Sequence, residues 1–126
     1  MVVDKLTLIM IHEGKRLVEE LDESGNAVDA ALWFFFPEPE EWKLVISLPE
    51  LADAGPKAGY GVIQGELEKL EEPQIGLQDI RLGRRNSQIV GLMRTVAKTG
   101  SEIRGIRVSK TVVDGHLIDD AYIYRL

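Results

Sequence analysis

The sequence predicts a single α+β domain over residues 1–126. Its sheet is mainly antiparallel with about five strands, joined by about three helices in the order α-β-β-α-β-α-β-β. Three observations point there. Apolar residues recur at helical spacing near the start, whereas residues 31–50 and 105–126 are dense in aromatic and β-branched residues around turn signals. A chain of 126 residues suffices for one hydrophobic core but not for two. No internal repeat or low-complexity linker divides it.

The first helix is expected over residues 4–23. Val3, Leu6, Met10, Leu17 and Leu21 form its apolar stripe, Gly14 fills the gap in it, Asp4 caps the start, and Ser24-Gly25-Asn26 stops it.

The segment ALWFFFPEPEEWKLVISLPE, residues 31–50, holds five of the eight aromatic rings and reads as a β-hairpin. Trp42, Leu44, Ile46 and Leu48 alternate with Lys43, Val45 and Ser47, the pattern of a strand with one face turned inward. With Pro37 to Glu41 as a symmetric loop, Phe36 faces Trp42, Phe34 faces Leu44 and Leu32 faces Ile46. The other face then shows Trp33 and Phe35 beside Lys43 and Val45. Two such rings left in water would forgo roughly 1.5–3 kcal/mol apiece, so something covers them. They are covered either by a partner or by the protein's own helices.

A second helix is expected from Pro56 to Glu71, with Tyr60, Ile63, Leu67 and Leu70 inward and Pro56 in the first turn. Ala58, Gly61 and Gly65 leave a smooth opposite side, either a groove for another backbone or a weak helix start. A short strand follows at 77–82, the turn Gly83-Arg84-Arg85-Asn86, and a third helix at 87–98, with Ile89, Leu92, Met93 and Val96 inward and Gly100 as its stop.

Asp114-Gly115 between two β-rich runs makes the strongest hairpin signal. Its two-residue turn pairs Val113 with His116, Val112 with Leu117, Lys110 with Asp119, Val108 with Ala121 and Ile106 with Ile123. The even-numbered set on β-strand 106–113 is expected to be the core face. The opposite face carries Thr111 with Ile118, Ser109 with Asp120, Arg107 with Tyr122 and Gly105 with Tyr124.

Composition removes several chemistries. The absence of cysteine excludes disulfides and thiolate sites, and leans towards a reducing cytosol. The N-terminus lacks the basic region of a signal peptide, and no run approaches the ~20 apolar residues of a membrane span. The expected localisation is cytoplasmic, without membrane association. Gly55, Gly59 and Gly61 match a dinucleotide glycine spacing, but seven residues separate Gly55 from the strand end at Leu48, and no P-loop lysine is present. His12-Glu13 lacks the second histidine of a zinc-protease helix. His116 and Asp120 lie roughly 13 Å apart along a strand, too far for one metal ion or one triad. Ser109 opposes Asp120, so a small hydrolase would need His12 to arrive from elsewhere. No catalytic residue, metal or cofactor is expected.

Charge is lopsided. Residues 1–72 carry 6 Lys/Arg against 16 Asp/Glu, and residues 73–126 carry 9 against 5, within a net charge of −6. Two surfaces follow. The first is an interaction face of Trp33, Phe35, Lys43 and Val45, which makes a non-catalytic protein-interaction or homodimerisation domain the leading expectation. The alternative is nucleic-acid or anionic-ligand binding through the basic part from Arg81 to Lys110. Its candidates are Arg84, Arg85, Arg94 and Arg107 with Tyr122 and Tyr124, and Arg81, Lys98 and Arg104 nearby.

Overall fold

The computed structural model describes residues 5–83 and 87–126, with the Ala52 side chain left aside. Its elements are α1 (Leu8–Glu23), β1 (Ala30–Phe36), β2 (Glu41–Ser47), α2 (Pro56–Leu67), β3 (Ile80–Gly83), α3 (Gln88–Arg94), β4 (Ile106–Val113) and β5 (His116–Arg125). Short 3-10 turns at Pro49–Ala54 and Leu77–Asp79 lead into α2 and β3. The fold is α+β with the expected element order. One five-stranded sheet runs β3-β2-β1-β5-β4, antiparallel except where β3 pairs parallel to β2.

Each helix starts where its chemistry permits. Thr7 caps α1, its side chain accepting from the Met10 amide at 3.1 Å; Asp4 lies outside the described residues. Pro56 opens α2, where its missing N–H costs nothing. Ser87 caps α3 by accepting from the Val90 amide at 3.3 Å. Both later helices are shorter than their apolar pattern, ending at Leu67 and Arg94 rather than 71 and 98.

The sheet is buried on both faces. On one side α1 and α2 pack Met10, Leu17, Leu21, Ile63 and Leu67 against Trp33, Trp42, Leu44, Ile46 and Tyr124. On the other, α3 lays Val90 and Met93 towards a layer built of Leu32, Phe34, Val45, Val108, Ala121 and Ile123. The aromatic run in β1 is therefore two-faced because helices of the same chain lie over both sides.

The first hairpin corrects the expected register. Trp33 faces Leu44, Phe35 faces Trp42 and Phe34 faces Lys43, with four residues, Pro37 to Glu40, in the loop. A slip of one residue turns every side chain to the other face. Trp33 and Phe35 thus join Trp42 and Leu44 under α1 and α2, while Val45 lies on the α3 side.

The last hairpin keeps the expected register from Ile106↔Ile123 to Val113↔His116, but its core face changes part-way. Lys110 adopts φ 45° and does not pair with Asp119. Before it, Ile106 and Val108 turn inward as expected. Beyond it Val113 and Ile118 are buried, and Val112 and Leu117 are 69% and 60% exposed. The left-handed residue takes the strand out of its simple alternation.

Two glycines of α1 and α2 permit close approach. A Cβ on Gly14 would sit 2.4 Å from the Tyr124 hydroxyl, and one on Gly59 would sit 2.7 Å from Leu82. The smooth side at Gly61 and Gly65 is open, with nothing within 4 Å of either. Among the described residues no helix is long and apolar enough to cross a membrane.

Candidate functional site

Two helices cannot cover five strands. Below α1 the strand β5 and the segment that leads into β4 leave a cleft of about 300 Å³, lined by Leu8, Ile11, His12, Lys15, Ile103, Arg104, Gly105, Tyr122 and Tyr124. Leu8, Ile11, His12 and Lys15 stand at spacings of three, one and three, a single stripe of the helix. The strand side supplies two tyrosines in edge-to-face contact, ring centroids 5.5 Å apart. The loop before β4 closes the third side.

Backbone and buried side chains fix this geometry. The ladder between β1 and β5 shifts by one residue between Ala31 and Leu32, so Tyr124 is an extra residue in β5. Such bulges re-aim a side chain. The Tyr124 hydroxyl accepts from Trp33 Nε1 at 3.0 Å and donates to the Ile11 carbonyl at 2.5 Å. Burial pushes its pKa above the range of a free tyrosine, against which the Trp33 bond acts only in part. Tyr124 is therefore a neutral strut that holds α1 to the sheet. The Arg104 amide donates to the Tyr124 carbonyl at 2.7 Å and sets the loop beside it. Glu13 secures the other flank of α1, its carboxylate accepting from the Gln74 and Ile75 amides at 3.0–3.1 Å.

The electrostatics are one-sided. The lining has Lys15, Arg104 and His12 and no carboxylate, within a chain of net charge −6. Among the described residues, the side chains of His12 and Lys15 take part in no ion pair. Arg104 pairs with Glu102 at 2.8 Å, both more than half exposed.

No protein-family model, curated protein or solved structure matches this chain.

The residues singled out in sequence fare differently. Trp33 is fully buried and bonded to Tyr124, and Val45 is 2% exposed on the opposite side of the sheet. Phe35 is half-buried against Trp42, centroids 5.6 Å apart. Lys43 donates to the Gln78 carbonyl. These four do not form one surface, and the physical reason is the one-residue register. Arg84 and Arg85 lie outside the described residues. Arg94 bonds Asp29 at 2.6 Å across the α3 side. Arg107 pairs across the ladder with Tyr122 as expected, holds Asp120 through two bonds of 2.5 and 2.6 Å and stands 5.6 Å from the Trp42 ring. Burial works to raise the Asp120 pKa, but the bonds from Arg107 and Ser109 outweigh it and hold it low. Arg81 lies over the Phe36 ring at 4.9 Å. Of the described anion candidates, Tyr122, Tyr124 and the flanking Arg104 come to the cleft. His12, Lys15, Leu8 and Ile11 were not assigned to it in sequence. Their signal was a second stripe on α1, beside the buried one.

Proposed function

We propose that this protein binds a small anionic ligand in the cleft between α1 and β5. The carrying observation is the lining: three basic side chains and no acidic one, in a chain with 21 Asp/Glu against 15 Lys/Arg. Lys15 has no ion-pair partner among the described residues and Arg104 has the exposed Glu102, a weak surface pair, so an anion between them would gain charge pairing that the fold supplies only in part. The volume, at the small end of ligand pockets, fits a metabolite-sized molecule. A nucleic-acid strand would need a basic groove along its backbone, which one cleft of this size does not provide.

Thermal unfolding in the presence of small carboxylates and phosphates tests this. An anion at 100 times its Kd should stabilise the fold by about 2.7 kcal/mol. Stabilisation should vanish in the variant Lys15→Met with Arg104→Met. No shift from any anion would sink the reading.

A second reading, docking to a second copy of the chain, is favoured by Val112 and Leu117. They are cross-strand partners, mostly exposed, at the tip of the hairpin that carries the edge strand β4. Two such tips could meet about a twofold axis. This replaces the Trp33 face as the place for an apolar contact.

A further inference from the structure

We infer that the ligand of the cleft is an amphipathic carboxylate, an aromatic or branched-chain acid. Its carboxylate sits at Lys15 and Arg104, and its apolar body lies between Leu8, Ile11 and the Tyr122 ring. The inference rests on reading the cleft as an anion site, and adds which anion.

The argument is the order of residues along the cleft. α1 and β5 run in the same direction: Tyr124 meets Ile11 and Gly14, and further on Arg125 bonds Asp22 through two bonds of 2.8 and 2.9 Å. Tyr122, two residues earlier in β5, lies roughly 6.6 Å back towards the start of α1, where Leu8 stands. Arg104 is held level with Tyr124 by its own amide. Leu8 and Lys15 are roughly 10 Å apart along the helix at 1.5 Å per residue. The Tyr122 side chain leans forward, its hydroxyl against Gly105 beside Arg104, so the cleft is apolar at Leu8 and the body of the Tyr122 ring and polar where the Tyr122 hydroxyl, Lys15 and Arg104 line it, with His12 between. That length suits one ring or branched chain ending in one carboxylate.

The donors also favour a carboxylate over a phosphate. Phosphate sites draw on free backbone N–H groups at a helix start or a glycine-rich loop. Lys15 lies about two turns into α1, where the amides are already bonded within the helix. Only side chains remain to grip the ligand there. Arg104 presents the planar fork that matches a carboxylate, and its exposed pair with Glu102 is readily exchanged for another carboxylate. Leu8, 84% exposed, gains a covering from the ligand body.

The test is amide-resolved NMR titration of the full chain with phenylacetate, isovalerate, inorganic phosphate and 2-phenylethanol, the last a neutral analogue of phenylacetate. Saturable shifts are expected at residues 8–15 and 103–105 with phenylacetate or isovalerate. 2-Phenylethanol should bind at least tenfold more weakly, and so should phosphate. Lys15→Met with Arg104→Met, both at exposed positions, should weaken phenylacetate at least tenfold while leaving the spectrum folded. Phosphate binding as tightly as phenylacetate would overturn the carboxylate assignment and leave the anion site standing. Equal binding of 2-phenylethanol, or no shift with any anion, would overturn both.

Discussion

At the scale of single residues, two glycines of the same type have opposite roles. A methyl group on Gly14 would meet the Tyr124 hydroxyl at 2.4 Å and Trp33 Nε1 at 2.8 Å, groups locked to each other by a buried bond. The gain in helix propensity, about 1 kcal/mol, is outweighed by overpacking of about 1–3 kcal/mol and by disturbing that bond. Gly14→Ala should therefore lower stability. Gly61→Ala, in the interior of α2 with nothing within 4 Å, should raise it by about 0.4–1 kcal/mol. Urea unfolding of the two variants reads both signs. Tyr124 carries a pH signature. Its pKa is raised in the fold, so the stability it contributes is complete below about pH 10, where a free tyrosine ionises. That contribution is lost as pH rises from there towards the folded value, because the unfolded chain releases its proton first. Tyr124→Phe should flatten this alkaline slope. It should also cost about 1–3 kcal/mol at neutral pH by stranding the buried Trp33 donor.

Whole elements show how much the sequence carried. Helical periodicity placed α1, and Asp114-Gly115 fixed the register of the last ladder apart from the Lys110–Asp119 pair, because a two-residue turn leaves no freedom in the pairing. The proline-rich loop leaves that freedom, and there the expected register was off by one. Strand alternation likewise assumes β geometry at every residue, and Lys110 breaks it without any glycine to announce the break. The cleft was half legible: two tyrosines two residues apart suggested a surface, but their helical partners belong to a segment more than a hundred residues away. The inverted hairpin tip makes a sharp expectation. Val112→Thr with Leu117→Thr should change stability by no more than about 0.5 kcal/mol, whereas Ile118→Ala should cost about 2–5 kcal/mol. Denaturant melts would separate these. Light scattering on the first variant, against the parent, also tests self-association: a dimer that persists without Val112 and Leu117 would exclude that tip.

For the molecule as a whole, the sheet order matters most. β1, from the first third of the chain, sits between β2 and β5, so β5 is an interior strand and not a late addition to an edge. Residues 1–100 alone would lose Tyr124, Ile123 and Ala121 from both layers and leave Trp33 without its partner. That fragment should show no cooperative thermal transition by circular dichroism; a sharp one would mean that the three helices and the first three strands suffice. The same topology places the two walls of the cleft far apart in sequence, Ile11 and Tyr124 being separated by 113 positions. Ribosomes add residues in order, so a nascent chain carries Lys15 and His12 long before the tyrosines that complete their cleft. On the proposed reading of the cleft, binding would begin only after residue 124 has been added and β5 has found its slot. Ligand capture would therefore report that β5 has threaded between β1 and β4.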